Sequence, residues 1–306
     1  MISRNHYRNG VWVDLEQPTA EEVHELSKEL GISEHIEREL LSPSPIPLVT
    51  GSDSSALLVL HFPIQSANDG DTKTQEIDFV VGEKFILTVR YEIVAPLHHL
   101  KKLLEAQALS EKKSSVTTDI LLEILFAHLY TSLRDHMNHV ASNLTRVEKE
   151  MFGGHERSTV RSISNISREF LHMEGVLANQ EEVLRRFLDT LSSHGYFGHS
   201  FAERSLRILS ERAHVARTVK THRAIATEMR ETNTALLGAR QSEIMKTLTL
   251  ITVILFPLEF IAVTFGMHAP GTPLEQNPNG FWIILGIMGT ITVLMLAVFA
   301  RKRWIF

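Results

Sequence analysis

Over the first 94 residues the hydrophobic positions alternate or form short runs, the signature of strands with brief helices between them. Gly10–Leu15 alternates and reads as a strand. Pro18-Thr19 opens a helix, with Thr19 and Glu22 at capping-box spacing, and Gly31 stops it after Leu30. Ser33 caps a second short helix ending near Leu41, and the prolines of Ser42–Pro47 disfavour helix there. Ala56–Phe62, Gln75–Val81 and Lys84–Arg90 read as strands, the last two joined by a tight link at Gly82-Glu83. Ser66–Lys73 reads as an exposed loop. From Ala95 the period changes to that of helices. Ala95–Leu109 is amphipathic, and Glu111–Ser115 is a link. Val116–Phe152 keeps helical spacing over about ten turns, Gly153-Gly154 breaks it, and Arg157–Leu191 returns. A short turn between two long helices predicts an antiparallel hairpin lying against something equally long. After the break at Ser192–Ser200, a last helix begins near Phe201 and meets no stop before the end of a long apolar run. It is about 60 residues and roughly 90 Å long.

That apolar run is the stretch around which the chain is organised. Leu248–Phe265 holds a single charge, Glu259. A helix of about 18 residues rises about 27 Å, close to the hydrocarbon thickness of a bilayer. Ser242, Met245, Thr249, Thr252, Phe256, Glu259 and Val263 are spaced alternately three and four apart and form one seam. Ile244, Leu248, Ile251, Leu255, Leu258 and Ala262 take a separate, wholly apolar face. A carboxylate facing lipid is costly, and neither membrane segment contains a Lys or Arg to pair with it. Two arrangements relieve Glu259: a ring of copies with seams inward around a wet axis, or a protonated carboxyl bonded to a neighbouring helix. Phe256 is either a hydrophobic constriction that gates by dewetting or a packing residue between copies. Pro257 either kinks the helix or is simply tolerated, as prolines in membrane helices are.

Phe281–Ala300 is a second, uncharged span without a polar seam, which suits an outer, lipid-facing ring. The intervening loop, 266–280, is rich in Pro and Gly and has no Lys or Arg. Arg240, Lys246 and Arg301–Arg303 flank the other ends of the spans. The positive-inside rule therefore puts both termini in the cytoplasm, in an inner or plasma membrane.

Composition narrows the chemistry. The 306 residues carry a net charge of −5 with mixed signs, which argues against a nucleic-acid partner. There are no cysteines, hence no disulfide scaffold and no thiolate metal site. The N-terminal decapeptide lacks the apolar core of a signal peptide. Asp69 and Asp71 match a calcium loop incompletely and read as solvated. Two Asn-X-Ser/Thr matches, at Asn143 and Asn165, fall within predicted helices on the cytosolic side. His136 and His139, and the adjacent His98 and His99, show no third metal ligand and read as surface histidines. No nucleophile–base set, phosphate loop or carboxylate pair points to an enzyme, and no cofactor is called for.

The run from Glu243 to Thr249 (Glu-Ile-Met-Lys-Thr-Leu-Thr), Phe256-Pro257-Leu258 and Phe265-Gly266-Met267 resembles the CorA family of divalent-cation channels. The opening Trp12-Val-Asp-Leu with Pro18-Thr19 is similar too. The resemblance implies an α+β cytosolic domain followed by long helices and a two-helix transmembrane hairpin, assembled as a funnel-shaped homopentamer. The implied divisions are an α/β domain over 1–94, a helical region over 95–200, a stalk helix and first span over 201–265, an outer loop over 266–280, a second span over 281–300 and a basic tail over 301–306. Hydrated magnesium, which gives up its water reluctantly, would pass down the axis. The family's Gly-Met-Asn mouth is Gly266-Met267-His268 here, its usual seam asparagine is Ser242, and a usual threonine is Glu259. Glu275 supplies the acidic loop residue. His268 and Glu259 are then the candidate metal-contacting residues. Imidazole also suits zinc, nickel or cobalt. Magnesium is the leading substrate, a transition metal the alternative, and a poorly conducting, membrane-anchored regulatory or scaffold protein the reading from another class. On the expected stalk, Arg204, Arg207, Arg212 and Arg217 make a region more basic than the family's regulatory carboxylates lead one to expect.

Overall fold

The computed structural model describes residues 2–63, 74–92, 94–109, 116–267 and 278–302. The chain runs β1 (Ile2–Tyr7), β2 (Gly10–Glu16), α1 (Ala20–Leu30), α2 (Glu34–Glu39), β3 (Leu48–Gly51), β4 (Ser55–Pro63), β5 (Thr74–Gly82), β6 (Phe85–Arg90), α3 (Ala95–Leu109), α4 (Thr118–Phe152), α5 (Glu156–Ser193), α6 (Ser200–Gly266) and α7 (Gly280–Arg301). The strands form one sheet in the order β1-β2-β6-β5-β4-β3. β2 and β6 are parallel and every other neighbour is antiparallel.

Local signals explain the starts and stops. The Thr19 hydroxyl accepts from the Glu22 amide at 3.2 Å, and the Glu22 carboxylate accepts from the Thr19 amide at 3.1 Å. This reciprocal pair satisfies two of the orphan donors at the start of α1. Gly31 ends α1 in the left-handed region, at φ 68°. Ser33 stands at the start of α2, but its side chain makes no capping bond, and α2 ends at Glu39. Two strands, β1 and β3, lie outside the elements expected from the pattern. β1 is mostly polar (Ser3, Arg4, Asn5, His6) and is strand because it pairs with β2 in register. β3 is four residues long, at the opposite edge of the sheet. The exposed-loop reading of 66–73, with Asp69 and Asp71, lies outside the described residues.

The sheet buries both faces. On one, Val13, Leu15, Leu57, Val59, Val80, Leu87 and Val89 pack with Val23, Leu26, Ile32, Ile36 and Leu40 from α1, α2 and the turns after them. Each such side chain contributes about 1.5–3 kcal/mol by leaving water. On the other face, Phe79 stacks on Phe126 of α4 with ring centroids 5.1 Å apart, and Phe62 tilts against Tyr130 at 6.0 Å. Fully buried Gln180 of α5 accepts from the Tyr130 hydroxyl at 3.0 Å and donates to the His61 carbonyl at 2.6 Å, so one amide ties α4, α5 and β4 together. The long object that the α4–α5 hairpin lies against is therefore partly the sheet itself.

A second polar network sits within this face. Trp12 donates to Thr88 Oγ1 (3.0 Å), Thr88 donates to Asp14 Oδ1 (2.8 Å), and Arg90 reaches Asp14 Oδ2 (3.0 Å) and Glu16 (2.8 Å). Asp14 and Arg90 are each 2 % exposed. Asp14 and Thr88 are partners in the parallel β2–β6 register, and so are Glu16 and Arg90. The network thus spans the one parallel pairing in the sheet.

The basic stretch of α6 is not a free basic surface. Arg204 meets Asp119 and Glu123 at 2.8 Å each, and Arg207 meets Glu123 at 2.5 Å. Arg212, 5 % exposed, donates to the Leu177 carbonyl and pairs with Glu181, both at 2.8 Å. Arg223 pairs with Glu174. Three of the four arginines read along α6, Arg204, Arg207 and Arg212, are thus met by acids on α4 and α5, about 30 to 85 positions earlier, while Arg217 is exposed. The hydrogen bond from Arg207, aided by that from Arg204, holds the Glu123 carboxyl below the ordinary carboxylate range.

By internal contact the chain divides into two compact units, Met1–Asn233 and Thr234–Phe306. The divisions drawn at 94 and 200 fall inside the first unit, where sheet and helices share a core. Helix α6 belongs to both units without a break and continues through Pro257. α6 and α7 each contain a stretch long and apolar enough to cross a membrane.

Candidate ion pathway on helix α6

Every residue of the expected seam lies on α6. Ser242, Met245, Thr249, Thr252, Phe256, Glu259 and Val263 are all exposed in the single chain, Met245 at 53 %, Phe256 at 70 % and Val263 at 56 %. The half-buried positions are elsewhere: Leu250, Ile254, Pro257, Leu258, Ile261 and Phe265 on α6, and Ile284, Met288, Ile291, Thr292, Met295 and Phe299 on α7. Both sets recur at helical spacing and mark one shallow stripe per helix. At about 100° per residue the α6 stripe and the seam are roughly 160° apart, on opposite sides of the helix. The apolar face expected beside the seam stays largely exposed, with Ile244, Leu248 and Leu255 above 50 %.

The threonines of the seam have their hydroxyl protons occupied. Thr249 donates to the Met245 carbonyl at 2.8 Å and Thr252 to the Leu248 carbonyl at 3.0 Å. Such back-bonding leaves the hydroxyl oxygen's lone pairs pointing outward, so each threonine offers an acceptor. The carboxyl of Glu259, when ionised, offers acceptors and no donor. The seam from Thr249 to Glu259 therefore presents oxygen acceptors at one-turn intervals, interrupted by the apolar ring of Phe256. The water shell of a hydrated divalent cation presents polarised O–H donors, the complementary chemistry.

Among the described residues no group of three or more His, Asp or Glu side chains is placed to hold a metal. Glu259 has no partner in its own chain among them. Any ion site at this depth needs the same carboxylate from other copies. Of the histidines read as surface residues, His98, His99 and His139 are exposed, but His136 is half-buried, with Nε2 3.1 Å from Glu169. Gly266 and Met267 close α6 as exposed residues, while His268 and Glu275 lie outside the described residues, as do 303–306 of the basic tail. The half-buried stripe of α6 was not read from the sequence. The signal was available, since Leu250, Ile254, Leu258 and Ile261 repeat every three or four residues, but in a uniformly apolar segment one such stripe does not stand out from the others.

A family model for the CorA-like Mg2+ transporter protein matches residues 8–303. The cobalt/magnesium transport protein CorA of Methanocaldococcus jannaschii is 24% identical over 314 aligned positions, covering 99% of this chain and 94% of that protein. The cobalt/magnesium transport protein CorA of Thermotoga maritima is 21% identical over 290, covering 92% and 80%. The complete structure of the M. jannaschii CorA magnesium transporter superposes with a TM-score of 0.82 at 22% identity, over 97% of this chain and 92% of that one, and so shares the fold. The family match spans the soluble body, both candidate spans and the seam on α6, and the chain belongs to the CorA-like Mg2+ transporter family.

Proposed function

We propose that the protein is a homopentameric channel that passes hydrated divalent cations, magnesium first, along an axis lined by the α6 seam from Ser242 to Val263. The observation that carries this reading is the seam itself: polar, unpartnered and on the side of α6 away from its half-buried stripe. A lone helix with Glu259 exposed would be costly in lipid, and a closed ring of copies removes that cost. Glu259 forms a carboxylate ring, Phe256 the hydrophobic constriction one turn before it, and Gly266-Met267-His268 the outer mouth, with Glu275 adding charge in the loop. Both termini are cytoplasmic, because the cations flanking the spans, Arg240, Lys246, Arg301 and Lys302, all lie at the ends away from the loop. The relatives named for cobalt and magnesium transport support the choice of ion.

Reconstitution into liposomes containing an ion-sensitive dye, with one metal supplied at a time, tests the function directly. Influx of Mg2+, with Co2+ and Ni2+ behind it, is expected, together with a mass of five chains in detergent. A stable monomer, or liposomes that exclude every divalent ion, would defeat the proposal.

A transition-metal reading rests on His268, where imidazole replaces the family's amide. If His268 lines the mouth, His268→Ala lowers flux or relaxes the order of metal preference by severalfold. In the native protein, flux also drops as the outer pH falls, since the ring of imidazoles becomes cationic and repels the incoming ion. Flux with an unchanged metal order in the alanine variant, and no acid sensitivity in the native protein, would remove His268 from the pathway.

A further inference from the structure

A carboxyl group occupies the centre of the sheet's apolar face, outside any role described so far. Asp78 of β5 is fully buried, with Val59 of β4 and Val89 of β6 as its cross-strand neighbours. Both valines belong to the core packed under α1 and α2. Two residues earlier, on the same face, Glu76 is paired across the ladder with His61. Both Glu76 oxygens accept from the Ser44 amide, at 2.9 Å each. His61 Nε2 lies 3.0 Å from the Ser44 carbonyl, to which it donates, and 3.6 Å from Glu76. Tyr91, just after β6, places its hydroxyl 3.2 Å from the Leu40 carbonyl and 3.4 Å from Asp78 Oδ2. From α2, Glu39 adds a further negative charge toward Asp78. α1 presents the apolar Val23, Leu26 and Leu30 to this face of the core.

The charges do not balance if both carboxyls are ionised. Among the described residues neither pairs with a lysine or arginine, and the nearby titratable partners are His61, Tyr91 and another acid. Asp78 Oδ1 is buried and has no donor. A bare carboxylate in such a place costs far more than a neutral acid. Glu76 and Asp78 stand two positions apart on β5, so their side chains leave the same face of the sheet as nearest neighbours along the strand. One proton between them gives Asp78 its missing bond and leaves Glu76 able to hold the Ser44 amide.

We propose that Glu76 and Asp78 share a single proton at neutral pH, and that this proton holds the Leu40–Ser44 connection, between α2 and β3, onto the sheet as a pH-operated clamp. Burial, and then the Glu76 charge, push Asp78 well above the ordinary carboxylate range, and burial also raises Glu76. An acid with a raised folded pKa binds its proton more tightly folded than unfolded. Its stabilising effect is therefore complete below the ordinary aspartate value, near about 4, and declines as the pH climbs toward the folded pKa. Once the proton leaves, two adjacent carboxylates and Glu39 repel one another with no cation to offset them. The Ser44 and Leu40 contacts are the ones this repulsion loosens.

The test uses the full chain in detergent. In the infrared spectrum at neutral pH, the carboxylic-acid C=O absorption of the native protein is expected to lose intensity in Asp78→Asn. Hydrogen–deuterium exchange of the peptide containing Ser44, corrected for the intrinsic pH dependence of exchange, is expected to lose about tenfold of its protection as the pH is raised above neutrality in the native protein. In Asp78→Asn, which keeps the shape but cannot ionise, protection is expected to stay flat with pH. An acid band unchanged by the substitution in a folded protein, or Ser44 protection that ignores pH in the native chain, would overturn the clamp. If Asp78→Asn does not fold, the native protein's exchange profile decides alone.

Discussion

Divalent-cation flux falls by about tenfold or more in Glu259→Gln, while the oligomer in detergent keeps its mass. A tenfold loss corresponds to about 1.4 kcal/mol of lost stabilisation of the passing ion. The substitution keeps the side chain's length and shape and removes one negative charge per copy. In a ring, several carboxylates face one axis in a medium of low dielectric, so the combined attraction for a divalent ion is large and glutamine's dipoles replace only part of it. The competing role, a carboxyl that only packs helix to helix, makes the opposite forecast: normal flux through whatever pentamer survives and a weaker assembly. Flux and mass measured on one preparation of Glu259→Gln separate the two, and normal flux from an intact pentamer would falsify the carboxylate ring.

Asp14→Ala destabilises the soluble body by about 3–5 kcal/mol, the usual cost of leaving one partner of a buried ion pair alone. The alanine would leave the Arg90 guanidinium, 2 % exposed, with the half-buried Glu16 as its one remaining acid among the described residues, and the Thr88 hydroxyl without its acceptor. Glu16, the other acid on Arg90, has a side chain 26% exposed, and Glu16→Gln is expected to cost much less. Denaturant unfolding of both variants, followed by the Trp12 fluorescence that reports on this network through Thr88, measures the difference. Equal and small effects would mean that the network is replaceable by solvent. The stakes are structural because Asp14 and Arg90 fasten the one parallel pairing in the sheet, which no hairpin turn holds in register.

How far the sequence reveals this protein depends on how far apart its partners lie. The Thr19–Glu22 box, the Gly31 stop and the Gly153-Gly154 break are decided within a few residues and are legible as such. The seam is legible for the same reason, being the spacing of one helix. The neighbours of β1 and β3 are not, because neither strand is apolar enough to announce itself and both become strands by pairing. The order of the sheet, with β2 beside β6, depends on tertiary packing that no local pattern encodes. The arginines of α6 show the limit most clearly. Counted along the chain they look like excess charge, and only the fold brings Asp119, Glu123, Glu174 and Glu181 to them. Glu76 and Asp78 are similarly silent: in sequence they are polar residues in a strand, and their burial is visible only once α2 and Tyr91 close over them.

Those four arginine contacts also constrain how α6 can move. Arg204, Arg207, Arg212 and Arg223 grip two different helices at unequal intervals of three, five and eleven residues. Unequal teeth mesh in one register only. A slide of α6 along its axis by a single turn, about 5.4 Å, would let Arg204 and Arg207 trade places on the acids they share but would pull Arg212 off Glu181 and the Leu177 carbonyl and Arg223 off Glu174. Small axial shifts are resisted by all four at once, so they add little slack. Helix α6 is thereby keyed like a lock bolt rather than held by friction: within the soluble body it is either seated or released, and any signal that travels along it must do so as a discrete step.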